Sequence, residues 1–540
     1  MKVSFSPIKL GLPLFIFVLI LGANCSENSL ADVDADTEID ADNGISDKPH
    51  SKVRFKEMLG VDAFEWNFGT QNNPTDPERS QFFLPFSGVR HYLDWRQIEQ
   101  EKGKYGYNPT PRGGWKYDEI YQWCKENNIT VLTCIKTIPD WLLQTYPEDK
   151  RDGENVPAPY GADLSDPASY VEFGKLAFQF AARYGSNPDV DPSLVHVEPV
   201  PHYNPNKKRI GTGLVQYIEC NNEPNRWWKP DKVAQQTASE YAANLSAFYD
   251  GHQGKLGPDV GVKNADPNMK VVMAGIATAD PAFVREMIAW CAAHRGKKPD
   301  GTIDLCFDVI NYHHYSNNRN EEKSRNNQRG IAPELSNATE LAQQFVAMAE
   351  QDAYGMEVWN TEVGYDLNQY SVQKAIPIKG KSEYITQADW NLRNALMYAR
   401  NGINRLFFYM LHDVSIKSTT QYASSGFVDK EGALSAKPSW NYLKQAKEIL
   451  GEFYYQNTID KDPFVDEYVL DDRKIYALVV PDEQGRSTNY ELAVGDQTTQ
   501  VKIYQLQPNN ASAKSDVKSV TNGKVSLTVS ETPIFVELLK

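Results

Sequence analysis

Between about residues 55 and 450, short runs of β-branched and aromatic residues alternate with amphipathic helical stretches, and no other feature constrains the fold as tightly. A strand, a helix and a second strand in succession require a crossover connection, so their repetition specifies a parallel sheet covered by helices. Eight strands are read, at 58–62, 88–93, 130–134, 214–220, 270–276, 307–312, 355–360 and 405–411. Eight such units predict an α/β fold, a closed (β/α)8 TIM barrel over residues 51–452, whose functional groups belong at the C-terminal ends of the strands.

Helix punctuation supports this reading. Asp166 is placed to cap a helix with Pro167 at its first position, and Tyr170, Phe173, Ala177, Phe180 and Tyr184 recur at helical spacing before Gly185. Thr386 with Asp389 opens another helix that runs to Asn401 and Gly402, and residues 438–450 form the last one, ending at Gly451. Residues 186–213, with five prolines, read as an insertion on the stability face. Beyond Phe453 the period changes to 2, with strands at 468–470, 475–480, 490–494, 500–505, 524–529 and 534–538, so residues 453–540 are expected to form a small antiparallel β-sandwich packed on the barrel. No aromatic row stands out in it, which favours a structural appendage over a carbohydrate-binding module.

The N-terminus has a different composition. Lys2 and Lys9 precede an apolar run over 10–21 that is too short to span a membrane, and Gly22-Ala23-Asn24-Cys25 follows. This resembles the signal peptide and lipobox of bacterial lipoproteins, with Cys25 as the lipidated residue and residues 1–25 as the leader. Residues 26–50 carry eight acids against Lys48 and are expected to be an acidic, disordered tether. An acidic stretch at this place is similar to the surface-export signal of some Gram-negative lipoproteins. The expected location is therefore the outer membrane, at the cell surface or on the periplasmic side, held through the lipid anchor alone. A formal charge of −15 argues against nucleic acid or an acidic lipid surface as a partner. A monomer is expected. Cys124, Cys134, Cys220, Cys291 and Cys306 lack metal-ligand spacing and read as buried thiols, although Cys134 and Cys220 lie on successive strands where a disulfide is conceivable.

Two strand ends carry the chemistry. Residues 217–225, Tyr-Ile-Glu-Cys-Asn-Asn-Glu-Pro-Asn, run from the fourth strand straight into Asn222-Glu223-Pro224. This resembles the fourth-strand motif of clan A glycoside hydrolases, which implies that Asn222 contacts a sugar 2-hydroxyl and Glu223 is the general acid/base. Period-2 alternation puts Glu219, Asn221 and Glu223 on one face, with Glu219 deeper as an ion-pairing group. Residues 356–364 end the seventh strand in Thr361-Glu362, where the clan places its nucleophile; Glu357, at the strand's start, should face the bottom or solvent. Two carboxylates in these positions imply double displacement with retention of configuration.

Other positions match the same clan. Gly88-Val89-Arg90, followed by Trp95, resembles the second strand, whose Arg hydrogen-bonds the nucleophile, and His313-x-Tyr315 resembles the pair in which Tyr contacts it. Trp66, Trp141, Trp227 and Trp228 follow strand ends, where aromatic platforms suit the apolar faces of sugar rings. The eighth strand lacks the clan's usual Trp, leaving Tyr409 or His412 to substitute. The resemblance thus implies a retaining glycosidase acting on a poly- or oligosaccharide, without metal or other cofactor. Two alternatives remain: a non-catalytic glycan-binding lipoprotein on an inactive barrel, and a metal-assisted hydrolase using His313 and His314.

Overall fold

The computed structural model describes residues 53–199, 206–319, 328–430 and 432–539. The expected leader with Cys25 and the acidic stretch 26–50 lie outside the described residues. Eight parallel strands, β1 (Leu59–Ala63), β2 (Gly88–Asp94), β3 (Thr130–Lys136), β4 (Tyr217–Cys220), β5 (Lys270–Met273), β6 (Val309–His313), β7 (Glu357–Val363) and β8 (Arg405–Phe408), form a closed barrel in sequence order. Leu59 of β1 pairs with Leu406 of β8 to complete the ring.

Strand alternation sorts the side chains into two environments. Val61, Val89, Val131, Ile218, Val271, Ile310, Val358 and Leu406 point outward and join one core with the surrounding helices. Burying each is worth roughly 1.5–3 kcal/mol, which ties register firmly to sequence. Inside the barrel, Leu132, Val272, Val309, Trp359 and Phe407 form an apolar plug. Gly60 admits the Phe407 ring, which a Cβ would approach to 2.4 Å. Toward the C-terminal end the interior changes character, with Asp62, Arg90, Glu219 and Asn311 all buried.

The helices follow the expected punctuation with one correction. Asp166 caps a 3-10 turn at Pro167–Tyr170 that continues into the helix Val171–Tyr184, stopped at Gly185. The helix predicted to open at Thr386 begins a turn earlier, at Glu383 after Ser382, and Thr386 and Asp389 are buried within it. The Asp389 carboxylate serves Lys381 at 2.8 Å instead of a helix terminus. The last helix, Pro438–Leu450, starts and stops where the sequence indicates. No described helix is long and apolar enough to cross a membrane.

After a short hairpin of β9 (Val428–Asp429) and β10 (Ser435–Ala436), the chain forms β11 (Tyr454–Lys461), β12 (Phe464–Leu470), β13 (Arg473–Val479), β14 (Ser487–Ala493), β15 (Gln500–Gln505), β16 (Lys514–Ser519), β17 (Lys524–Ser530) and β18 (Ile534–Leu539). Six of these make an antiparallel sheet in the order β11-β12-β13-β18-β15-β16, and β14 pairs with β17. Val465, Leu478, Leu492, Val525 and Val536 fill the space between the two sheets. The other face of the large sheet adds Tyr455, Tyr468, Ile475 and Phe535 to the barrel's own core. Arginines of the barrel complete the contact: partly buried Arg400 pairs with Asp466 at 2.7 Å, and buried Arg393 donates to the Asp482 carbonyl at 2.9 Å.

All five described cysteines are buried thiols. A Cys134–Cys220 bridge is ruled out by register: Cys134 lies opposite Glu219 and faces the interior beside Arg90, so Cys220, one residue on, faces outward. Cys291 and Cys306 are the close pair, with Sγ atoms 3.5 Å apart.

Candidate active site

Strand alternation alone does not deliver both carboxylates to the barrel mouth; each arrives through a local departure from it. On β7, Trp359 and Thr361 share the inward face. A bulge beside β6 then sets His313 opposite Glu362 with Thr361 passed over, so Thr361 and Glu362 both turn inward. On β4 the regular strand ends at Cys220, and Asn221 (φ 71°) and Glu223 (φ 44°) adopt left-handed conformations. Asn tolerates that region, whereas a Glu there is held by its surroundings at some cost. The Glu223 amide donates to the Gly275 carbonyl at 3.1 Å, and the Asn221 side chain accepts from the Asn222 amide at 2.7 Å. As a result Asn222, not Asn221, sends its amide oxygen inward to Arg90, which corrects the period-2 assignment.

Glu362 is almost fully buried and bonded at both oxygens. Oε1 accepts from Arg90 Nη1 at 3.0 Å and from the Tyr92 hydroxyl in a short contact; Oε2 accepts from the Tyr315 hydroxyl at 2.9 Å. Burial by itself would push this carboxyl up, but His313 whenever its ring is protonated, the Arg90 charge and the two phenolic donors oppose it and hold Glu362 below the usual carboxylate range. Arg90 is the hub: it clasps Glu219 through Nε at 2.7 Å and Nη2 at 2.9 Å, and donates to Asn222 Oδ1 at 2.7 Å. Glu219 is thereby the internal ion-pairing group its depth suggested. Glu357, also as expected, is exposed at the start of β7.

With its donors committed, Arg90 leaves a third buried carboxyl, Asp62, 3.7 Å away and without a hydrogen bond. Burial first, then the Glu362 and Glu219 charges, push Asp62 well above the ordinary range against the pull of Arg90. Asp62 thus takes up a proton in preference to Glu362, and the guanidinium charge remains with Glu219 and Glu362.

Glu223 is half-buried, and among the described residues its carboxylate hydrogen-bonds one side chain, His313, whose Nδ1 lies 2.9 Å from Glu223 Oε1 and 3.6 Å from Glu362 Oε1. Ligand atoms of Glu223, His313 and Glu362 all fall within 4.8 Å of one another. A cation bound there would compete with Arg90 and two phenolic donors for the Glu362 oxygens. His313 fits only because Gly275 has no side chain: a Cβ there would lie 2.0 Å from Nε2. His314 is buried, and its backbone amide donates to the Glu362 carbonyl at 3.2 Å.

The aromatic candidates divide. Trp66 is 46% exposed and stacks on Phe64 at 4.4 Å, and Phe64 stacks in turn on Tyr92 at 5.3 Å, so a column of rings leads from the Glu362 pocket outward. Trp227 and Trp228 meet edge to face at 5.8 Å just after Glu223. Tyr409 stands at the end of β8, 6.2 Å from Tyr92 and 5.9 Å from Tyr422, whose ring stacks on Tyr315. Trp141 packs edge-on against buried Trp95. His412 is buried edge-on to Phe82, and burial lowers it to about 4, so it is neutral at physiological pH.

Tyr92, Asp62, Asn311 and Thr361 were not singled out in the sequence. Tyr92 was within reach, since it lies two residues beyond Arg90 on the same strand face. Thr361 was within reach too, since alternation turns it inward with Trp359 and an unbroken register would set it opposite His313; what the sequence did not show is the bulge that brings Glu362 there as well.

Solved structures share this architecture. A family 39 glycoside hydrolase from the gut symbiont Bacteroides cellulosilyticus WH2 matches with a TM-score of 0.59 at 16% identity, over 90% of this chain and 82% of its own. A GH51 arabinofuranosidase from Xanthomonas axonopodis pv. citri matches at 0.54 and 10% identity, over 91% and 98%. A glycoside hydrolase family 30 subfamily 8 xylanase from Clostridium acetobutylicum matches at 0.52 and 12% identity, over 91% and 97%. At these identities the likeness is one of fold, a barrel with a β-sandwich as found in glycoside hydrolases. No protein-family model and no curated protein sequence matches the chain.

Proposed function

We propose that this chain is a retaining glycoside hydrolase that cleaves O-glycosidic bonds of a poly- or oligosaccharide, with Glu362 as nucleophile and Glu223 as general acid/base. One observation carries the reading: two carboxylates from different strands approach within 4.8 Å at the barrel mouth, one saturated with donors and the other nearly free. Carboxyl groups about 5–5.5 Å apart suit double displacement, whereas an inverting enzyme needs room for a water between them.

In the first step the ionised Glu362 attacks the anomeric carbon while Glu223 passes its proton to the departing oxygen. In the second, Glu223 takes a proton from water, whose oxygen displaces Glu362 and restores the original configuration. Arg90, Tyr92 and Tyr315 keep the nucleophile ionised and aimed. Asn222, oriented by Arg90, is assigned to the substrate, with Trp66, Trp227, Trp228, Trp141 and Tyr409 as sugar platforms. The lipobox-like Cys25 and the acidic stretch after it support an exported lipoprotein at the cell surface or on the periplasmic side.

Purified protein incubated with a panel of plant, algal and host polysaccharides is expected to release oligosaccharides whose newly formed anomeric signal, followed by proton NMR, has the configuration of the bond cut. Inverted product would remove the double displacement. Binding without hydrolysis across the panel would favour the glycan-binding alternative, and loss of activity on dialysis against a chelator would favour the metal-assisted one.

A further inference from the structure

Resting on that reading of Glu223, we infer that Glu219, Asn311 and Thr361 form a positioning chain that fixes the tautomer of His313 and so decides which atom carries the proton between His313 and Glu223. The chain can be followed by hydrogen-bond polarity alone. Glu219 receives two bonds from Arg90 and one from the Gly275 amide at 3.0 Å, so it acts as an acceptor. Asn311 lies 3.2 Å from Glu219 Oε1 and must present its Nδ2 there, which turns its Oδ1 toward Thr361. The Thr361 hydroxyl has one proton and gives it to Asn311 Oδ1 at 3.0 Å. Its oxygen is left to accept from His313 Nε2, 3.1 Å away. Nε2 therefore holds the proton of the neutral imidazole, and Nδ1 turns a lone pair toward Glu223 Oε1 at 2.9 Å.

A lone pair facing a carboxyl group favours its protonated form, because a hydrogen bond made by the neutral acid is lost on ionisation. With the opposite tautomer, an Nδ1 proton would bond the carboxylate and favour ionisation, leaving the acid step without its proton at neutral pH. The other groups around this pair are Glu362 at 3.6 Å from Nδ1, Arg90 and Tyr315 bonded to Glu362, Tyr409, and Glu219 at the far end of the chain. The Glu223 proton rests against Nδ1 and is re-aimed at the leaving oxygen by rotation about the soft terminal torsion of the side chain. As the C–O bond breaks, that proton goes to the departing sugar, and the Nδ1 lone pair opposes the carboxylate left behind. That opposition makes Glu223 a better base toward the water of the second step, which returns the proton.

The test reads the tautomer directly. In full-length protein labelled with 15N-histidine, long-range 1H–15N correlation at neutral pH is expected to show His313, identified by its loss in His313→Asn, as the Nε2-protonated form. Thr361→Ser should keep that pattern, while Thr361→Val, which removes the acceptor, should convert it to an Nδ1-protonated or mixed form. On a substrate with a poor leaving group, the basic limb of kcat/KM in Thr361→Val should fall by about one pH unit or more, and Thr361→Ser should restore it. An Nδ1-protonated or doubly protonated His313 in the wild type overturns the inference, as does an unchanged tautomer in Thr361→Val or an equal loss of activity at every pH. A protein with the Nε2 tautomer that hydrolyses nothing defeats the glycosidase reading while leaving the hydrogen-bond assignment in place.

Discussion

At the end of β7, Glu362 is buried and accepts hydrogen bonds from Arg90, Tyr92 and Tyr315, whereas at the end of β4 Glu223 is half-buried and, among the described residues, its carboxylate hydrogen-bonds His313 alone. The two groups have the same chemistry and opposite surroundings. Donors on every side stabilise a carboxylate; a neighbour that offers a lone pair, as inferred for His313, accepts a hydrogen bond from a carboxylic acid. The backbone differs in parallel, a bulge re-aiming one group and two left-handed residues the other. The difference suggests how one barrel mouth can keep a base and an acid within 4.8 Å of each other.

Four substitutions break or sharpen that contrast. Glu362→Ala removes the attacking group and should lower kcat by on the order of 10⁵-fold with the fold intact by circular dichroism; near-wild-type turnover would dissolve the assignment. Glu223→Gln should cost about 10²–10⁴-fold on natural glycans, and much less on aryl glycosides whose leaving oxygen needs no proton. Equal losses on both substrates would show that Glu223 is not the acid. Replacing Arg90 by Met leaves Glu219 buried without its counter-charge, so stability should fall by about 3–5 kcal/mol in denaturant melts. Because Arg90 helps hold Glu362 low, the acid limb of kcat/KM should also move to higher pH. A group depressed in this way contributes stability above its unfolded value that is lost as pH falls through the folded one, so the variant should also lose part of the acid sensitivity of folding. The smallest change is expected for Tyr315→Phe, which deletes one hydrogen bond to a charged group and should lower kcat/KM roughly ten- to a hundredfold without shifting the basic limb.

The sandwich shows where sequence reading stops. Of its eight strands, those not predicted are β11 and β16, the two edges of the large sheet. All six residues of β16 are exposed, and beyond Gln456 only alternate positions of β11 are shielded. An edge strand facing water needs no apolar alternation and is protected by charge, so Lys514-Ser515-Asp516-Val517-Lys518-Ser519 carries no pattern to detect. The early start of the helix at Glu383 is hidden for a different reason, since Thr386 and Asp389 look like a cap but are buried within the helix, where Asp389 pairs with Lys381, which also pairs with Glu531 of the sandwich.

Local sequence determined the eight-strand alternation, the change of period near residue 453 and both Glu motifs, because these depend on spacing along one segment and on turn chemistry beside it. Arg90 and Tyr315 followed from the family pattern those motifs evoke. Only the tertiary structure decided that Asp62 stands as a third acid beside one guanidinium, that Tyr92 reaches Glu362 from β2, and that Asn311 and Thr361 link Glu219 to His313. These contacts join residues from different strands at distances of a few ångströms, and their existence depends on register, a bulge and two left-handed residues. A linear chain does not display such geometry until closure of the barrel fixes which strand ends face each other.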